Sequence, residues 1–325
     1  MHEETLLKLL DDDTTKTLKN LISSGETPLW HYWEEFVTDY IKEGRSKVTI
    51  GNVRDKLRFV TRILQIITIE NCNQPVELRR KLFKIADERN WQPTTINSYV
   101  KDLNTYFIWL EDMEYIQENK LRKFRKCKET ENEQYSLQED QIKQLQAHML
   151  NRRQNHQVEV WRNKLFIELS ILTGARPCEL ADIRFRDIVK TNNHYVLEIR
   201  GHKQKGKLRR YKLPTQIVST FEMYLFQRQR IGREETSLFI SLSSKEGWTY
   251  KGMTSLMKKL SKELGFRVHS YAIRRFVATK LWNKDTPLRD IMNHLGHNRI
   301  STTLKYVDKG SQLTQKGVDV MGEMF

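Results

Sequence analysis

Three stretches of the chain set basic side chains beside hydroxyl, imidazole or carboxylate groups. They are Thr173-Gly-Ala-Arg-Pro-Cys-Glu-Leu180, Tyr271-Ala-Ile-Arg-Arg-Phe-Val-Ala-Thr279 and Leu295-Gly-His-Asn-Arg-Ile-Ser-Thr-Thr-Leu-Lys-Tyr306. A guanidinium is a planar fork of donors that can hold two phosphate oxygens and stabilise the extra charge of a pentavalent transition state. A phenol can donate to a phosphate oxygen, but with an ordinary pKa of about 10 it is a poor proton acceptor at neutral pH. The chain carries 56 Lys and Arg against 41 Asp and Glu, a formal charge of +15. That balance suits a polyanion, whose counterions are released as phosphates dock.

The third stretch resembles the nucleophile box of the tyrosine recombinases, the phage integrase and Xer family, in which an LGH tripeptide precedes a tyrosine. The first resembles the family's TG-x-R-x-x-E-L box, and the second its H-x-L-R-H-x-F-A-T helix. The resemblance implies that Tyr306 is the nucleophile and that Arg176 and Arg274 clamp the scissile phosphate. It further implies that His297 donates to a non-bridging oxygen and that Glu179 braces the site. A lysine near a β-hairpin serves the family as general acid; Lys205 fits that place best, with Lys203 as the alternative. Two positions depart from the pattern: Tyr271 stands where the family usually has histidine, and Arg275 replaces the histidine after the second arginine. His269 lies two residues too early to substitute.

Such a site implies cleavage and rejoining of DNA through a 3′-phosphotyrosine, by a homotetramer passing through a Holliday junction on specific double-stranded sites. Integration or excision of a mobile element and Xer-type resolution are the implied roles. Two alternatives stand beside this reading: a type IB topoisomerase, which uses a similar set of residues, and a recombinase-derived DNA-binding protein impaired by Tyr271 and Arg275. No cofactor or metal is expected, since there is no GxxxxGK[ST] loop and no clustered carboxylates. Cys72, Cys127 and Cys178 are far apart and read as reduced structural thiols. No window of 18 apolar residues and no signal-like start predicts a soluble, cytoplasmic, nucleoid-associated protein without membrane contact.

The elements that must position these residues are mainly helical, with a small β-sheet. Residues 1–25 form an extension with polar helices over Glu3–Leu10 and on to Ile22, ended by a Ser/Gly/Pro linker. Helical periodicity then runs from Leu29, over Asn52–Thr68, over Pro75–Glu88, and after Trp91-Gln-Pro-Thr-Thr. Residues 26–120 thus predict a helical domain, resembling the family's core-binding domain. Residues 121–134 read as a basic linker whose Arg122, Lys123, Arg125, Lys126 and Lys128 would cross phosphates. Residues 135–310 predict a mixed α/β catalytic domain, opened by a capping box between Ser136 and Glu139. Within it, Tyr195–Arg200 and Arg209–Pro214 read as a β-ribbon around a basic turn. Lys203, Lys207 and Arg275 join the expected DNA contacts, and Leu288, Ile291, Met292, Leu295 and Ile300 the buried faces. The two domains would clamp DNA. Residues 311–325 form a tail that, by analogy, docks on a neighbouring protomer.

Overall fold

A computed structural model describes residue 23 and residues 25–129, 135–151, 156–192, 194–201, 208–230, 236–243 and 246–304. The helices expected before Ile22 lie outside these residues, as do the 311–325 tail and the turn between the two ribbon strands. The fold is mainly helical with one small sheet, in two compact units, Met1–Asn132 and Glu133–Phe325.

The first unit is built from α1 (Trp33–Lys42), α2 (Lys47–Ile63), α3 (Ile69–Cys72), α4 (Pro75–Glu88) and α5 (Pro93–Asp112). Proline at the first turn starts both α4 and α5, where its missing N–H costs nothing. Helix α2 does not run to Thr68 as its periodicity suggested. It ends at Ile63, Gln65 turns through a left-handed φ of 51°, and Ile66 and Ile67 reach the core from non-helical backbone. Thr68 then pairs with Pro28 and caps α3 by accepting from the Asn71 amide. Cys72 is buried in this core, and burial pushes its thiol up to about 12.

The segment Leu121–Lys128 corrects the expected linker. A short 3-10 turn, Lys120–Lys123, is capped by the Asn119 side chain, and both Leu121 and Phe124 are buried in the core of the helical unit. Asn97 brackets the Cys127 backbone, accepting from its amide and donating to its carbonyl. Arg122 pairs with Glu111 at 2.5 Å and Lys123 with Glu118 at 2.7 Å, so these two charges already face carboxylates. Truncating a fully buried leucine costs roughly 2–5 kcal/mol. Leu121→Ala should therefore lower the urea midpoint of the full chain's helical unit, whereas a free linker would leave it unchanged.

The second unit opens with α6 (Glu139–Asn151). Ser136 does not cap it; the Gln141 side chain accepts from the Gln138 amide instead, two residues later than the expected box. Helix α7 (Gln157–Thr173) ends at Gly174, whose φ of 59° suits a residue without Cβ. The short α8 (Pro177–Ala181) follows at once. The sheet has three antiparallel strands, not two: β1 (Ile188–Lys190), β2 (Tyr195–Arg200) and β3 (Leu208–Lys212), in that order. Helices α9 (Thr215–Gln229), α10 (Tyr250–Leu264), α11 (Ser270–Trp282), α12 (Leu288–Leu295) and α13 (Ile300–Leu304) complete it. Helices α7 and α9 pack along each other, and α7 also meets α11. Ile291 and Leu295 are buried as expected, but Ile300 is 54% exposed because α13 is a single turn whose buried residue is Thr303. Among the described residues no helix is long and apolar enough to cross a membrane, and no group of three His, Cys, Asp or Glu could hold a metal.

Candidate active site

Arg176 sits at the N-cap of α8, immediately after the Gly174 turn. Glu179, three residues on, accepts from the Arg176 amide at 3.1 Å and from its Nη1 at 2.9 Å. This local chelate fixes both residues and explains why the box needs a carboxylate at that spacing. Burial pushes the Glu179 carboxyl up. The charges of Arg209 and Arg176 and their hydrogen bonds outweigh that and leave it below the ordinary carboxylate range.

Arg274 lies in the first turns of α11, behind an N-cap formed by His269, whose Nδ1 accepts from the Ala272 amide. His269 is thus a capping residue. The Arg274 side chain is 1% exposed and reaches three segments. Its Nη1 donates to Gly174 O at 2.7 Å, its Nη2 to Leu295 O at 2.6 Å and its Nε to His297 Nε2 at 3.3 Å. Helix α12 ends at Leu295, and Gly296, at φ 67°, turns the chain so that His297 faces Arg274. His297 was expected to donate to a phosphate oxygen. Here Nε2 accepts instead, which puts the ring proton on Nδ1, 2.8 Å from Thr303 Oγ1. Burial, then the charges of Arg274, Arg176 and Arg209, depress His297 to about 3, so the ring is neutral at physiological pH.

Arg176, Glu179, Arg274 and His297 are therefore brought together. Tyr271 sits one helical turn before Arg274, 57% exposed, and Arg275 is half-buried on the same helix. Arg125, Lys126 and Lys128 are exposed on the other unit. Tyr306, Lys203, Lys205 and Lys207 lie outside the described residues. A cleft of about 420 Å³ opens on the far side of Glu179, lined by Arg184, Arg186, Asp187, Glu198 and Arg200. Its mixed charge, and the absence of Arg176, Arg274 and His297 from its lining, separate it from the arginine cluster.

Two participants escaped the sequence reading. Arg209 on β3 donates from Nη2 to Glu179 at 2.7 Å and from Nη1 to Leu295 O at 3.0 Å. The signal was in its phase: Arg209 and Tyr211 alternate with Arg210 and Lys212 and point inward. His294 bonds through Nε2 to Leu172 O, and its carbonyl accepts from the Tyr211 hydroxyl.

Residues 135–312, more than half of the chain, match the phage integrase family, and the chain belongs to it. Its members are tyrosine recombinases, the enzymes of site-specific recombination. A tyrosine recombinase of Thermosipho africanus is 26% identical over 288 residues, covering 86% of this chain and 95% of its own. The XerA recombinase of Pyrococcus furiosus is likewise 26% identical, over 84% of this chain and 87% of its own. The fold is shared with XerH bound to palindromic difH substrate in a post-cleavage complex: TM-score 0.67, 17% identity, 86% of this chain and 81% of that one. It is also shared with a lambda integrase dimer bound to a COC′ core site, at TM-score 0.65 and 17% identity, over 91% and 82% of the two chains.

Proposed function

We propose that this recombinase cleaves and rejoins double-stranded DNA at specific sites through a 3′-phosphotyrosine on Tyr306. The observation that carries the reading is a cluster of three guanidinium groups, with Arg176 and Arg209 bonded to one carboxylate and Arg274 to one neutral imidazole. Three cations against one anion leave an excess of positive charge that a phosphate would complete.

In this reading the Tyr306 hydroxyl gives up its proton to solvent water and its oxygen attacks the phosphorus in line while Arg176 and Arg274 hold the non-bridging oxygens. The bond to the 5′ oxygen breaks as the bond to Tyr306 forms, and Lys205, or Lys203, supplies the proton. The phosphotyrosine conserves the phosphodiester energy, so a partner strand's 5′-hydroxyl can reverse the step without ATP. Tyr271, in the place of the usual histidine, donates to a phosphate oxygen and accepts no proton. His297 becomes a donor by moving its proton to Nε2, and the Thr303 hydroxyl, donor as readily as acceptor, then serves Nδ1.

Arg125, Lys126 and Lys128 of the helical unit lie on phosphates, with Arg122 and Lys123 contributing less because of their ion pairs. Four copies exchange strands through a Holliday junction; a lambda integrase tetramer has been crystallised bound to such a junction. The substrates are the ends of a mobile element or a resolution site.

Covalent trapping tests this. The full chain is mixed with nicked suicide duplexes from DNA flanking its own gene, quenched in SDS, and any adduct mapped by mass spectrometry. An adduct on Tyr306 is expected, and none with Tyr306→Phe. Tight binding without an adduct would favour a catalytically impaired DNA-binding relative, the reading favoured by the exposed tyrosine at position 271.

A further inference from the structure

We infer that Arg209 is a positioning residue that locks the Arg176 box to the turn carrying His297, and is needed for strand cleavage but not for DNA binding. The inference rests on the recombinase reading above. The Arg209 side chain is 4% exposed. Its Nη2 holds Glu179 Oε2, and its Nη1 holds the last carbonyls of α12, Leu295 O at 3.0 Å and His294 O at 3.4 Å. Leu295 O is shared with Arg274 Nη2, so an unbroken chain runs Arg176, Glu179, Arg209, Leu295 O, Arg274.

Space has been made for this guanidinium. A Cβ on Gly296 would stand 3.0 Å from Arg209 Nε and 3.1 Å from its Cζ, so the glycine opens the slot that the planar group fills. Stability does not account for the arrangement. Arg209 Nε is buried with no hydrogen-bond partner among the described residues, and a buried ion pair is commonly replaceable by apolar side chains of similar volume without loss. What an apolar side chain could not do is fix the direction of Glu179, and through it Arg176, relative to the His297 turn. Nor could lysine, a point charge without a planar fork.

Glu179 faces Arg176 and Cys178 on its own element, Arg209 and Tyr211 from β3 and His297 from beyond α12, and it shares the neighbouring cleft with Asp182, Arg184, Arg186, Asp187, Glu198 and Arg200. Removing Arg209 therefore leaves Arg176 as the remaining cation bonded to a buried carboxylate. Burial should then carry Glu179 above its native position, and protonation would release Arg176.

The test compares the wild-type full chain with Arg209→Lys, Arg209→Met and the double variant Arg209→Met/Glu179→Gln on the same suicide duplexes. DNA affinity, thermal midpoint and single-turnover cleavage are measured between pH 5.5 and 8. Both single variants are expected to bind DNA within about threefold of wild type yet cleave on the order of 100-fold more slowly, the scale of a small misplacement of a catalytic group. The ratio of Arg209→Met to wild-type rate should fall as the pH drops, and that slope should vanish with Glu179→Gln. Arg209→Lys keeps the charge and covers the case in which Arg209→Met folds poorly. Variant rates within about threefold of wild type, or a rate ratio that is flat with pH, would overturn the inference while leaving the recombinase reading intact. No adduct from the wild type would remove both.

Discussion

Arg274→Met is expected to stop strand cleavage and to loosen the catalytic unit at the same time. The guanidinium ties α11 to the Gly174 turn, to the end of α12 and to His297. Methionine fills most of the volume but leaves Gly174 O and His297 Nε2 without these donors, while Leu295 O keeps Arg209. Hydrogen bonds from charged donors contribute roughly 1.5–3 kcal/mol each, and relief of guanidinium desolvation offsets part of the loss. A net destabilisation of about 3 kcal/mol follows, with cleavage down about 10³-fold from the loss of a preorganised phosphate donor. Arg176→Met should cut cleavage comparably yet cost only about 1 kcal/mol. Its side chain is 23% exposed, and Glu179 retains Arg209 when it is gone. Urea unfolding and adduct formation on both variants check this pair. Equal stability losses would mean that Arg274 is not the anchor its hydrogen bonds describe.

The contrast between those arginines also marks where the sequence was readable. Helix α4 begins where expected because proline at the first turn leaves little latitude, α5 starts at Pro93, ahead of the Thr94-Thr95 pair after which it was expected, and the Arg176 box is a local device written within a few residues. What escaped was either non-local or hidden inside a stronger signal. Arg209 lay within a basic hairpin and read only as the start of a strand; its register opposite the buried Ile199 is set by the fold of β2 on β3. Leu121 and Phe124 were masked by the basic residues around them, although apolar side chains three apart in a charged run indicate docking. Helix α2 stops short because Ile66 and Ile67 continue the apolar pattern in non-helical backbone, which a count of periodic residues cannot distinguish. The His297 ring was recognised, but its tautomer depends on Arg274 and Thr303, which meet it only after folding.

Gly174→Ala should be about as destabilising as Arg274→Met, though it removes no functional group. Two independent costs meet at this residue. Its φ of 59° is left-handed, and a Cβ there costs about 1–2 kcal/mol. That Cβ would also stand 2.7 Å from Leu295 Cδ2 and 3.5 Å from Val277. Leu295 is completely buried, so its side chain cannot swing away, and overpacking a full core adds roughly 1–3 kcal/mol. The total is about 3 kcal/mol, or a fall of about 6–12 °C in the thermal midpoint of a unit this size. A functional effect should accompany the structural one. Gly174 O is an anchor of Arg274 Nη1, and Leu295 O holds both Arg274 and Arg209, so relieving the clash moves two guanidinium groups. Cleavage measured well below the lowered midpoint should therefore fall at least about tenfold. Adding Leu295→Ala isolates the steric part. The alanine opens a cavity of its own, yet it gives the new Cβ room, so the double variant should be more stable than the sum of the single losses by about 1 kcal/mol or more. Strict additivity would mean that the backbone conformation alone, and not the contact with Leu295, is what requires glycine here.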